Sequence, residues 1–218
     1  MEAQLIQFST VVVGKAHNPS ILNPDFLSVN GIVPNDWGWE VAETVTTPPF
    51  AVVRYANGVA VTVEFNKLQV TDVDVRDDPI TSKAAEIATN YVHTLPHVRY
   101  TAAGLNFQTV VAVESPETYL KERFVKAGPW NTEKRQLSAA GLRLVYALGD
   151  EGRVTLSLDA GEAQSSGDKT KKKVVIANAN FHRDCGEHPA HEQVAKHLTN
   201  VANDWSMYRE LLTEAITE

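Results

Sequence analysis

His182, Cys185, His188 and His191 stand three residues apart in the stretch FHRDCGEHPAH, which also holds the chain's single cysteine. Imidazole nitrogens and a thiolate are ligands that zinc prefers, in sets of three or four at about 2.0–2.3 Å. A metal-dependent enzyme or metal-binding protein built on these four residues is therefore one reading. Cys185 offers a second chemistry. It precedes a predicted helix, whose N-terminus and a nearby imidazole would favour the thiolate. No Asn or Asp stands out as the orienting third member, and no catalytic residue is assigned. The local pattern also speaks against one converging site. His182 falls at a strand end, Gly186 makes a turn, and Pro189 fixes φ for a first helical turn. The three-residue spacing thus crosses three kinds of backbone, and the expectation is a strand–turn–helix junction. No cofactor is expected, with zinc as the alternative.

Other stretches offer weaker chemistry. Asp72, Asp74, Asp77 and Asp78 could supply oxygen ligands to Mg²⁺ or Ca²⁺, but the EF-hand glycine and twelfth-position glutamate are missing. Acids before a helix also favour its dipole. The long segment 17–39 carries Phe26, Leu27, Trp37 and Trp39. A loop of that length inside a compact domain is usually an interaction surface or a functional element. Its aromatic residues are the candidate anchors for a protein partner, unless they tuck onto the chain's own core. Tyr91, Trp205 and Tyr208 lie on predicted helices and could line a small-ligand pocket against a sheet. No phosphate-binding glycine loop, nucleophile elbow or HExxH motif occurs.

Composition narrows the partners. The chain has 218 residues, 43% hydrophobic and 22% charged, with a formal charge of −7. Those proportions suit a packed globular core. The acidic balance disfavours nucleic acid, which is met by basic stripes. The one dense basic run, Lys169 to Lys173, follows a Gly/Ser-rich loop and reads as a solvated tip beside a strand. One cysteine allows no internal disulfide and fits a reducing compartment. The N-terminus has an acid where a signal peptide needs a base, and no apolar run reaches the ~18 residues of a membrane helix. A cytoplasmic protein without a membrane partner is expected.

The elements that must position these residues follow from periodicity. Residues 3–14 read as a strand. Asn23-Pro24 can open a helical turn that carries Phe26 and Leu27. Strands follow at 39–45 and, as two runs joined by Asn57-Gly58, at 50–73. Residues 80–95 repeat apolar positions at helical spacing, and Pro96 ends them. The second part predicts a strand at 97–113 and a helix from Ser115. Two strands flank the turn 149–152, and a last strand covers 173–182. A single long helix over 189–217 carries a stripe of Val194, Leu198, Val201, Trp205, Tyr208 and Leu212. The predicted fold is α+β, with two similar β-α-β-β-β-α halves, 1–96 and 97–218, forming one compact unit. Antiparallel sheets would be covered on one face by long helices, saddle-like in the manner of the TATA-binding protein. That comparison is of architecture only.

The phrase YTAAGLNFQTVV, after a helix ending VHTLP, and the tail VVIANANF…HEQVAKHLTNVANDWSMYRELLTEAI carry a resemblance. The chain resembles a sporadically distributed family of uncharacterised bacterial and phage proteins with a Gly-Leu-Arg-Tyr-like strand in mid-chain. Gly104-Leu105-Asn106-Phe107 matches that motif, with Asn106 where the family tends to have Arg. His197, Trp205 and Leu211-Leu212-Thr213 match the family's closing helix. The resemblance covers about the last two thirds of the chain and implies no activity. It implies a bacterial setting and exchanged genes, such as defence or toxin-linked modules. The expected function is a non-enzymatic binding or assembly module that engages another protein or itself as an oligomer. A metal-dependent role and small-ligand binding are the alternatives.

Overall fold

Period-two alternation of apolar and polar residues builds most of this molecule. The computed structural model describes residues 2–75, 78–149, 152–164, 171–186 and 190–216. Its strands are β1 (Ala3–Lys15), β2 (Val41–Thr47), β3 (Phe50–Tyr55), β4 (Val59–Glu64), β5 (Lys67–Asp72), β6 (Arg99–Ala112), β7 (Leu142–Ala147), β8 (Gly152–Ala163) and β9 (Lys172–Asp184). All nine join one antiparallel sheet in the order β2-β3-β4-β5-β1-β6-β9-β8-β7. At its centre β1 and β6 pair from Ala3↔Val111 to Lys15↔Arg99.

Among the described residues, the α-helices are α1 (Pro24–Val29), α2 (Ala84–Thr94), α3 (Pro116–Phe124), α4 (Ala190–Leu198) and α5 (Val201–Ile216). On the face they pack against, Phe8, Thr10 and Val12 lie opposite Phe107, Leu105 and Ala103 of β6. Val154, Leu156 and Leu158 of β8 continue that face beside Phe181, Ala179 and Ala177 of β9. These side chains are buried and form one core with Ile87 and Tyr91 of α2, Leu120 of α3, Val194 and Leu198 of α4, and Tyr208 and Leu212 of α5. Direct bonds tie helices to sheet. Thr10 Oγ1 donates to Ala84 O at 3.3 Å, and Tyr208 Oη donates to Ala177 O at 3.1 Å. Small residues at 177 and 179 leave room for α5 to approach this closely.

The expected pair of matching halves under long helices does not form. One large sheet dominates, and the helices are short, the longest being the 16 residues of α5. Two local features account for the difference. The run 59–72 turns back at Phe65-Asn66, giving β4 and β5 where a single strand is expected, so the first part has five strands and the second four. Phe65 is 65% exposed, an apolar side chain at a turn tip that periodicity reads as buried. The predicted helix over 189–217 also breaks. Asn200 Nδ2 donates to Lys196 O at 3.2 Å, closing α4, and Asn200 O accepts from Asp204 N at 2.9 Å, opening α5. With unequal strand sets and a divided tail, the saddle comparison falls as well.

Several turns form where their residues predict. Gly58 adopts φ 86° after Asn57, joining β3 to β4. Asn23 Oδ1 accepts from Phe26 N at 2.8 Å and caps α1, with Pro24 at its first position. Ser115 precedes α3 without a side-chain capping bond, and Pro116 starts the helix instead. Among the described residues, no helix is long and apolar enough to cross a membrane.

Candidate functional site

The face of the sheet turned away from the helix-packed core carries amide and hydroxyl side chains at its centre. Ser9 of β1 lies opposite Asn106 of β6, and Asn106 lies opposite Asn180 of β9. Asn178 pairs with Gln108 on one side and with Ser157 of β8 on the other, and Asn180 pairs with Thr155. Neighbouring strands thus align their polar positions across the sheet. Asn180 Nδ2 donates to Asn106 Oδ1, and Asn106 Nδ2 donates to Ser9 Oγ at 3.4 Å. This chain of bonds holds the amides in fixed orientations. A shallow hollow of about 200 Å³ opens over Gln7, Asn106, Gln108, Ser157, Asn178 and Asn180. Charges toward its flanks are mixed: Arg54 pairs with Glu43 at 2.6 Å, and Lys67 with Glu64 at 3.1 Å. At its centre the surface presents uncharged donors and acceptors, with Arg143 of β7 opposite Ser157 and Arg153 of β8 opposite His182 toward the edge.

The residues predicted to bind metal are spread along a strand exit and a helix entrance. His182 lies opposite Gly104 on the polar face and bonds Asp184 Oδ1 at 2.9 Å. Cys185 N donates to Thr101 O at 2.8 Å, and the Cys185 side chain packs against the helix-side core. Gln193 Oε1 of α4 accepts from Gly186 N at 2.8 Å and so fastens the turn. His191 sits half-buried in the first turn of α4. His188 lies outside the described residues. Among the described residues, no group of three or more His, Cys, Asp or Glu side chains is arranged to hold a metal ion. Asp72 acts as a turn organiser: it accepts from Asp74 N at 3.0 Å and from Ser82 Oγ at 2.6 Å.

The segment 17–39 folds onto the body of the protein. Leu27 is fully buried. Phe26 meets Tyr91 edge-on at 6.5 Å. Trp37 lies 4.8 Å from Trp39, which meets Tyr55 edge-on at 5.3 Å. The Lys83 ammonium sits 5.0 Å above the Trp37 ring. Phe26, Trp37 and Trp39 keep partial exposure, so their outer edges remain available. The three pocket candidates separate into two groups. Tyr91 packs near His17 and Phe26. Trp205 and Tyr208 stack around Phe107 at 5.4 and 5.7 Å. Tyr208 Oη lies 2.6 Å from Thr109 Oγ1, and burial raises its pKa well above the ordinary phenol value. Trp205 does line a cleft of about 920 Å³, between α5 and the ends of β1, β6 and β9, with Arg209 and Lys172 at its rim.

No protein-family model matches this chain, and no curated protein matches it either. Sequence patterns gave no role to Gln108, Asn178, Asn180, Thr155 or Ser157, and marked Asn106 only as a departure from the mid-chain motif. Their signal is the alternation in VVIANANF, where small apolar residues serve one face and asparagines the other.

Proposed function

We propose that this protein is a non-enzymatic binding or assembly module, working in the bacterial cytoplasm by engaging another protein or a second copy of itself. The observation that carries this reading is the one-sided sheet. The helices are spent on one face, and the centre of the other carries amides and hydroxyls, with Ser9, Asn106 and Asn180 joined by hydrogen bonds. Pre-oriented uncharged donors and acceptors cost little ordering entropy on binding and suit the mixed polar surface of a protein. The partly exposed Phe26, Trp37 and Trp39 extend the choice of anchors. The lone cysteine is in keeping with a reducing compartment.

The test is co-purification from the native host with wild-type protein and with Asn178→Arg. Asn178 is half-buried in the hollow, and an arginine there would obstruct docking while leaving the helix-side core untouched. The expected result is a partner held by wild type and lost by the variant, with an unchanged thermal midpoint. Equal recovery of that partner by both proteins counts against the polar face. A small-ligand role is the second reading, favoured by the cleft beside Trp205. Its test is a ligand panel with Trp205→Ala as control, where stabilisation of both proteins alike would exclude the cleft.

A further inference from the structure

The two edges of the sheet are defended unequally. At one end, β2 carries a register shift between Val41 and Glu43, an ion pair from Glu43 to Arg54 and a run of threonines. Its Thr46 Oγ1 also donates to Leu22 O at 3.4 Å. Bulges, charges and covering loops are devices that keep edge strands from pairing with other chains. At the other end, β7 reads Leu-Arg-Leu-Val-Tyr-Ala and pairs with β8 from Leu142↔Leu158 to Ala147↔Arg153 without a shift. Leu142, Leu144 and Tyr146 alternate on the helix side but are only half-buried, because the helix layer thins out there. Val145, on the opposite face, is 57% exposed. Leu148 N donates to Gly152 O at 2.9 Å. Alternation along an antiparallel ladder then turns the N–H and C=O groups of Arg143, Val145 and Ala147 outward.

We infer that β7 is a docking edge for a second copy of this chain, pairing antiparallel with its own equivalent about a two-fold axis at Leu144; this rests on the binding-or-assembly reading. The strand complements itself. About that axis, Leu144 faces Leu144, and Leu142 faces the second copy's Tyr146, so three half-covered side chains close over one another. Arg143 falls opposite Val145, so no like charges meet across the join. The interface is isologous and closed, as a two-fold dimer requires. Both polar faces then lie on the same side of one continuous sheet.

Sedimentation of the full chain, up to about 100 µM, tests this. The expected result is a species of twice 24.0 kDa for wild type. Val145→Lys and Val145→Pro should return the 24.0 kDa species, with the dissociation constant raised about a hundredfold or more. The lysine adds charge at an exposed site, and the proline removes an outward N–H that β8 does not use. Val45→Lys on β2 should leave the dimer intact. A wild-type chain that stays monomeric, or a dimer that survives both substitutions at 145, overturns the inference. A monomer that still loses its host partner on Asn178→Arg would overturn this edge alone and leave the binding reading standing.

Discussion

His17 shows how much one buried side chain governs. It is 1% exposed, and its Nδ1 lies 3.5 Å from Tyr91 Oη. Its Nε2 finds no hydrogen-bond partner among the described residues. Tyr100 and Tyr91 flank the ring at 5.9 and 6.0 Å, and neither carries charge near neutrality. Desolvation therefore lowers the His17 pKa from 6.5 to about 4. Between those values the unfolded chain binds a proton that the folded chain refuses. The contribution is thus fully present above about pH 6.5 and is lost as pH falls toward about 4. Thermal unfolding should give a lower midpoint at about pH 4.5 than at pH 7, and His17→Leu should reduce that difference. Equal slopes in wild type and variant would contradict the assignment. Sequence alone could not find this residue, because a histidine before Asn-Pro reads as an exposed loop position.

At the scale of elements, α5 is fixed to the sheet by two polar ties and an aromatic cluster. Arg183 of β9 donates to both carboxylate oxygens of Asp204 at 2.6 and 2.7 Å, with Asp204 nearly enclosed. Removing one member strands a charge in the interior. Asp204→Ala should lower unfolding free energy by about 3–5 kcal/mol in denaturant titration, whereas Arg183→Met with Asp204→Leu should cost much less. Tyr208→Phe leaves the Thr109 hydroxyl and a buried carbonyl short of a partner, at about 1–3 kcal/mol. Strands β1, β2, β3, β6, β7, β8 and β9, and helices α1, α2 and α3, were legible because alternation, helical spacing or Pro and Gly punctuation marks them. The β4–β5 turn was not, since Phe65 and Asn66 lack the glycine or proline that marks most reversals. The break between α4 and α5 was hidden by an apolar stripe that runs through it unbroken. One asparagine that both ends α4 and opens α5 leaves little trace in periodicity.

For the whole molecule, the decisive property is asymmetry. Helices fill one face of the sheet and leave the other polar at its centre, while one edge is guarded and the other open. The candidate site was only partly legible. The cluster at 182–191 drew attention through residue type, yet strand, turn and helix send its described members to different surroundings. The amide array was not legible because amide and hydroxyl residues scattered over β1, β6, β8 and β9 become one surface only once register aligns them. The central claim is that this array is where a partner docks. It is tested most directly by cysteine footprinting in a Cys185→Ser background, comparing Thr155→Cys on the polar face with Ser206→Cys on the exposed side of α5. In native-host extract, against buffer, modification should slow at position 155 and stay unchanged at 206. Unchanged modification at 155, or protection at 206 alone, would contradict the account.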